Sequence, residues 1–535
     1  MLSSGCHIAF LSRVQLCVLS LLTALTAIAQ AQETHLPVLF IATEEGRNVV
    51  DEPKIGATLT VADARDLSNK ITDVKQATGP EFRIGIELRG RSSQLFPKKG
   101  FGIELRDASG SNLDAPLLGM PAADDWALHG PFADRSLLRN ALAYTTARAI
   151  GAAAPRTRFC EVVLNGAYIG IYLLCEKADR GQARIPLKRN IDEPPLADYL
   201  VQINFELETP TDGWVSTHPF RESPIDYHAY HYEYPKARNI TSSEAAYLQG
   251  WFENVESILT GPDSLKYAQF IDLRSWIDYI IMNELGRDVD AYNASTFLVK
   301  RADGLIYAGP IWDQNFAFGN SDYCGGRSVE GLSIESEEVC KWRVPSLLFG
   351  RTWADPAFRQ TVAERYFELR QGPLGDGLFE RLDSLEALLS PAVGRNFARW
   401  PIEGTYHWPN AYVGNSWPDD VNYLRGWLVR RINYLDKRFG AYSTSIPGGP
   451  ELQWSVGPNP VLSGVSFVIT TIRVDARQLD ATLIDYQGKV LATANWLSPR
   501  EGTIDTQFLP AGNYIVAVRD GTDGPLLAAK PVYIY

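Results

Sequence analysis

Two hydrophobic periodicities divide this chain, and the boundary between them limits what it can fold into. Before residue 440 the clearest late pattern is helical. Leu424, Trp427, Leu428, Ile432 and Leu435 recur at three- and four-residue spacing after Asp419 and Asp420, and Gly440 is the expected stop. Residues 443–450 then form a Ser/Pro/Gly stretch, and beyond it the period falls to two. Residues 466–471, 481–484 and 513–518 read as short strands separated by turns at 485–488 and 510–512. One layered core does not serve both patterns. The reading is a large domain over 32–442, a linker over 443–450 and a small all-β sandwich over 451–535.

Length and charge agree with this division. A chain of 535 residues with 45% apolar content has material for two or more packed cores. Its net charge of −12, without a basic block, argues against nucleic acid and against electrostatic membrane attachment. Residues 1–31 read as a cleaved signal peptide. Arg13 precedes the apolar run 14–22, and Ala29-Gln30-Ala31 has the small-x-small form of a peptidase site. A membrane anchor fits less well, because Ser20, Thr23 and Thr26 dilute the run. A lipid on Cys17 also fits less well, because Val14 and Gln15 suit a lipoprotein site poorly. The expected location is therefore the cell surface or the secreted fraction, by way of the periplasm, with no stable membrane span. Four cysteines follow the cleavage point. Cys324 and Cys340 share a looped segment and are the expected disulfide, whereas Cys160 and Cys175 lie in apolar runs as buried thiols, and no spacing suits a zinc site.

The first part of the large domain is β-rich. Strands are expected at 36–41, 57–61, 82–88 and 101–105, then a helix over 135–150. Residues 159–164 and 168–174 flank Asn165-Gly166, the dipeptide of a tight hairpin turn with two positive φ angles. The middle turns helical: Thr241 with Glu244 makes a capping box, and Asp272 caps a helix that Gly286 should end.

The chemistry concentrates just after that helix. Asp288, Asp290 and Asn293 precede two apolar strands that turn near Asp303-Gly304, and Asp313 follows the second strand. Counting back from the turn sets Asp313 opposite residues 292–294, and directly opposed residues lie about 5 Å apart at Cβ. Three carboxylates and an amide would converge, a hard-oxygen set suited to Mg2+ or Mn2+ together with substrate phosphates. The order of parts, Asp, Asn, hairpin, and Asp313 with Gly319 beyond it, is that of protein kinases. Spacing does not choose between Asp288 with Asn293 and Asp290 with Ser295, and a solvated acidic turn at a helix end is the simpler alternative. For a phosphate-binding cation, the segment Arg89-Gly90-Arg91-Ser92-Ser93 through Lys98-Lys99 lies between two strands, and Glu176 could pair with its lysine.

Several blocks together resemble the CotH kinase family: residues 96–105 (beginning Phe96-Pro97-Lys98-Lys99), Leu117-Leu118-Gly119-Met120, Asp125-Trp126, Asp134-Arg135-Ser136 with Arg139-Asn140, the Asn165-Gly166 hairpin, and Gly309-Pro310-Ile311-Trp312-Asp313. The resemblance spans residues 36–440. It implies an α+β chain in which an atypical protein-kinase-like domain precedes the all-β sandwich. Activity on ATP follows, with Asp290 as the catalytic Asp, Asp288 beside it, and Asp313 as the metal-binding Asp. Asn293 and Ser295 would complete the metal shell, and Lys98 or Lys99 would meet the nucleotide phosphates with Arg91, Ser92 and Glu176 nearby. Two positions depart from the pattern: Asp288 and Ser295 stand where relatives have Asn. The C-terminal blocks Gly457-Pro458-Asn459-Pro460, 484–489 and 509–516 resemble a type IX secretion sorting domain, without its basic finish. The implied function is phosphoryl transfer to Ser or Thr of surface or secreted proteins, with the secretion machinery as a second partner. The alternative is an inactive CotH-like adhesin or scaffold.

Overall fold

The computed structural model describes residues 33–63, 69–70, 79–218, 228–261, 264–338, 340, 344–443, 453–457, 466–472, 479–485, 489–498, 501–510, 512–520 and 526–534. The signal-peptide reading at 1–31, and the linker apart from Ser443, lie outside these. Contacts divide the chain into two units between Ser443 and Thr444.

Seven strands of the first unit close on themselves. They are β1 (Val38–Thr43), β2 (Ile55–Ala62), β3 (Glu81–Arg89), β4 (Gly100–Arg106), β5 (Asp125–His129), β6 (Thr157–Leu164) and β7 (Ala167–Glu176), in the barrel order β6-β7-β5-β4-β3-β2-β1. Alternation along each strand sends Leu39, Leu59, Ile84, Ile86, Ile103 and Trp126 into a shared interior. The Asn165-Gly166 turn has φ of 49° and 77°, the conformation that this dipeptide favours. Closure itself is a finding. It rests on β1 running parallel to β6, with Val38 opposite Glu161 and Ile41 opposite Leu164, a pairing across more than a hundred residues that no local pattern announces.

Between β5 and β6 runs α1 (Arg139–Ala149), which starts later than the expected residue 135. The Asp134 carboxylate explains the delay. It accepts the backbone N–H of Ser136 at 3.1 Å and of Arg139 at 2.8 Å, so the preceding turn is a side-chain-closed loop. Arg135 then points away to Asp420 and to the carbonyls of Ile402, Thr405 and Gly414.

The rest of the unit carries an antiparallel sheet and most of the helices. The sheet comprises β8 (Tyr199–Asn204), β9 (Gly213–Val215), β10 (Ala229–Tyr234), β11 (Thr296–Lys300) and β12 (Ile306–Ala308), ordered β9-β10-β8-β11-β12. Helix α2 (Ser242–Thr260) opens on the expected capping box, with the Glu244 N–H donating to Thr241 Oγ1 at 3.2 Å and the Thr241 N–H to the Glu244 carboxylate at 2.8 Å. Asp272 caps α3 (Leu273–Gly286), and Arg287 takes the left-handed position after it. Then follow α4 (Leu347–Ala354), α5 (Pro356–Arg370), α6 (Asp376–Leu389), α7 (Val393–Arg399) and α8 (Trp417–Ser443). Helix α8 is longer at both ends than its pattern suggests. Asp419 and Asp420 belong to its first turn, where carboxylates suit the exposed N–H groups. Gly440 does not stop it; buried Phe439 packs against the Tyr366 ring of α5 at a tilted angle. No helix among the described residues is long and apolar enough to cross a membrane.

One buried ion pair ties these helices together. Glu284, near the end of α3, accepts the N–H groups of Ser333 and Ile334 at 2.8 and 2.9 Å and the Tyr292 hydroxyl at 2.9 Å. Arg431 of α8 lies 3.4 Å from the same carboxylate and donates to the backbone oxygen of Glu284. Neither side chain is exposed.

The second unit contains two four-stranded antiparallel sheets. Its strands are β13 (Gln453–Gly457), β14 (Phe467–Ile472), β15 (Leu479–Ile484), β16 (Val490–Thr493), β17 (Asn495–Ser498), β18 (Glu501–Ile504), β19 (Gly512–Asp520) and β20 (Leu526–Ile534). The orders are β13-β14-β18-β17 and β16-β15-β19-β20, around a shared core that includes Ile469, Leu483, Ile504 and Val516. In the first unit Cys324 and Cys340 are bonded, while Cys160 and Cys175 are buried thiols.

Removing one partner of a buried pair leaves an uncompensated charge. Glu284→Ala should therefore lose about 3–5 kcal/mol in urea unfolding, and Arg431→Met a comparable amount. Peptide mapping without reductant should find Cys324 joined to Cys340.

Candidate functional site

The hairpin β11–β12 sets the site. Leu298 faces Ala308 and Lys300 faces Ile306, and the Gly309 N–H continues the ladder to the Phe297 oxygen at 2.9 Å. Residues 290–294 lie outside this ladder, in a turn closed by the Ala294 N–H on the Asp290 oxygen at 3.0 Å. Beyond the ladder the arm is held from α1 and the chain that follows it. The Ile311 N–H donates to the Ala153 oxygen at 2.8 Å, and the Asp313 N–H to the Tyr144 hydroxyl at 3.0 Å. Three non-glycine residues here take left-handed backbone: Tyr292 with φ 69°, Ser295 with φ 49° and Asp313 with φ 57°. Such conformations cost free energy and persist where surrounding bonds impose them.

Asp290 and Asp313 sense one another. Burial first, and then the neighbouring Asp290 charge, push the Asp313 carboxyl up to about 6, against the opposing pull of Arg89. Asp288 has a different place. It is buried, its Oδ2 accepts from Gln314 Nε2 at 3.0 Å, and its Oδ1 accepts the Asp290 N–H at 3.3 Å, so it braces the loop that presents Asp290. Asn293 is buried and its Oδ1 accepts no hydrogen bond. Asn315 donates to Asp313 at 2.8 Å, and its own Oδ1 is likewise without a donor. Ser295 is partly exposed at the end of the loop.

These donors bear on a metal. Among the described residues no group of three His, Cys, Asp or Glu side chains could hold one. Two carboxylates with buried, undonated amide oxygens nevertheless suit Mg2+ or Mn2+, ions that keep part of their shell for substrate phosphates. Buried acceptors without donors are costly, and a cation would relieve them.

The basic segment is arranged otherwise than the sequence suggests. Lys98 is 2% exposed. Its Nζ donates to the Ile171 oxygen at 2.5 Å and to Asn396 Oδ1 at 2.8 Å and lies over the Tyr172 ring, which ties the barrel to α7. Lys99 donates to the Gln94 oxygen, and exposed Arg91 pairs with Glu208 at 2.8 Å. Ser92 is exposed in the short 3-10 turn Ser92–Leu95. Glu176 pairs with Arg156 at 2.7 Å and not with either lysine. Arg89, which opens the basic segment in the sequence but is given no role of its own there, is the last residue of β3. Its guanidinium lies 5.0 Å from the Trp312 ring centre, and its Nη1 is buried without an acceptor. The sequence signal for it was a basic residue ending an alternating strand, just before Gly90.

Lys98 gives a pH signature. Burial lowers its ammonium from the ordinary 10.5 to about 7. Between those values the unfolded chain binds more protons, so this residue makes stability rise with pH. From pH 7 to pH 10 the wild type should gain more than about 1 kcal/mol over Lys98→Met in urea unfolding.

Comparison with known proteins bears on this arrangement. No curated protein matches the chain. Among solved structures, the endo-β-1,4-mannanase from Thermotoga petrophila is 11% identical over 24% of this chain and 26% of its own, with a TM-score of 0.13, a likeness too small to carry an argument. The family described as "CotH kinase protein" matches residues 86–435, a segment that runs from within β3 into α8 and includes Asp290 and Asp313. That match covers the larger part of the sequence, and on it the chain belongs to the CotH kinase protein family.

Proposed function

We propose that this protein is an exported atypical kinase that moves the γ-phosphoryl of ATP to Ser or Thr of surface or secreted proteins. The observation that carries the reading is the presentation of Asp290 and Asp313 on a helix-end loop and a hairpin arm, close enough for each charge to be felt by the other. In this reading Asp290 orients the acceptor hydroxyl and takes its proton as the new O–P bond forms and the bond to ADP breaks. Asp313 and Asn293 would hold Mg2+ or Mn2+, which would supply positive charge to offset that of the phosphates. Asp288 fixes the loop and Tyr144 fixes the Asp313 backbone, so little reorganisation is needed when substrates arrive.

Export is part of the proposal. The signal-like residues 1–31 support it, and a Cys324–Cys340 disulfide suits an oxidising compartment. The second unit is the proposed sorting module, which meets the secretion machinery while the first unit meets ATP and the protein substrate.

Radiolabelled ATP with Mg2+ or Mn2+ should label the purified protein or a co-purified acceptor. Asp290→Asn and Asp313→Asn should each lower transfer by about a hundredfold or more. A wild type that transfers nothing, or variants that label equally well, would sink the reading. A chain ending at Ser443 should keep its transfer rate and lose its place at the surface.

A further inference from the structure

The cations around Arg89 and the candidate site differ in what they already hold. Lys98 and Lys99 are taken up by carbonyl and amide oxygens, Arg91 by Glu208, and Lys177 by Asp125 at 3.3 Å. Arg89 differs from these four. Its Nη1 is buried without an acceptor, its plane lies against Trp312, and its charge acts on Asp313 without an ion pair to it. A buried guanidinium N–H with nothing to donate to costs free energy, and the cost disappears when an anion supplies an oxygen.

We infer that Arg89 is the phosphate-binding cation of this site, receiving the polyphosphate of the nucleotide in the place expected of a lysine. The inference rests on the kinase reading, since that reading identifies the ligand as ATP. Its geometry follows from guanidinium chemistry. A planar fork binds phosphate oxygens through two parallel N–H donors, which an ammonium does not. Trp312 holds one face of that fork and Asp313 is the next residue, so one ligand would bring phosphate to Arg89 and metal to Asp313 at once. Each pole of the site then meets its opposite, and direct pairing of Arg89 with Asp313, which would silence both, is absent. Gly90 keeps the loop tight behind the guanidinium, because a Cβ there would collide with Ser93 Oγ.

Calorimetric titration of the full chain tests this with three ligands: Mg-ATP, Mg-tripolyphosphate and adenosine. Arg89→Ala should weaken ATP and tripolyphosphate by at least about tenfold and change adenosine less than twofold, and Arg89→Lys should recover part of the loss. Circular dichroism on both variants checks folding, and the lysine form serves if the alanine form does not fold. Unchanged ATP binding in Arg89→Ala would overturn the inference and leave the nucleotide reading standing. Equal loss of all three ligands would also overturn it, since that is the mark of a residue that only supports Trp312. Binding of tripolyphosphate through Arg89 with no gain for ATP would uphold the cation and remove the nucleotide. A wild type that binds neither anion overturns both.

Discussion

The Glu284 carboxylate is the constraint on which the larger unit turns. It lies at the end of α3 with no exposure and gathers partners from three other places: the Tyr292 hydroxyl in the Asp290 loop, two N–H groups at residues 333–334, and Arg431 of α8. Burial raises its pKa, and Arg431 is the largest force opposing that rise. A charge so enclosed is tolerable only while every partner is present. The loop that carries Asp290 is therefore positioned by a long-range network. Asp288 braces it from within, and three residues, counting the Asp313 arm, sit in left-handed backbone conformations that these bonds impose.

The barrel solves a related problem by different means. An ammonium inside it, Lys98, is held by a carbonyl, an amide oxygen and an aromatic face, with no carboxylate, and its proton affinity falls accordingly. Arg89, at the barrel's rim, keeps a donor in reserve. The same wall thus holds one cation spent on architecture and one left for chemistry, and burial with partners is what separates the two.

What could be read from the sequence was what is local. The Asn165-Gly166 turn, the Thr241–Glu244 box, the Asp272 cap and the 303–304 hairpin depend on residues within a few positions of each other. Barrel closure was not legible, because β1 and β6 pair across a gap that leaves no pattern in either strand. The choice among Arg89, Arg91, Lys98 and Lys99 was not legible either. Which of them comes near Asp313 depends on strand parity and on how residues 90–99 fold, and Lys98 finds its partner, Asn396, about three hundred residues away. Glu176 went to Arg156 for the same reason: composition names the charge, while only the closed barrel names its partner.

The arm before Asp313 has a mechanical meaning. Two backbone donors, at Ile311 and Asp313, fasten it to Ala153 and to Tyr144 of α1. A rigid link of this kind transmits displacement. A shift of α1 along its axis is carried to the Asp313 carboxylate unless those bonds break, so the helix acts as a lever on the proposed metal ligand. Most of that helix is buried, so what presses on it is the packing of the unit itself.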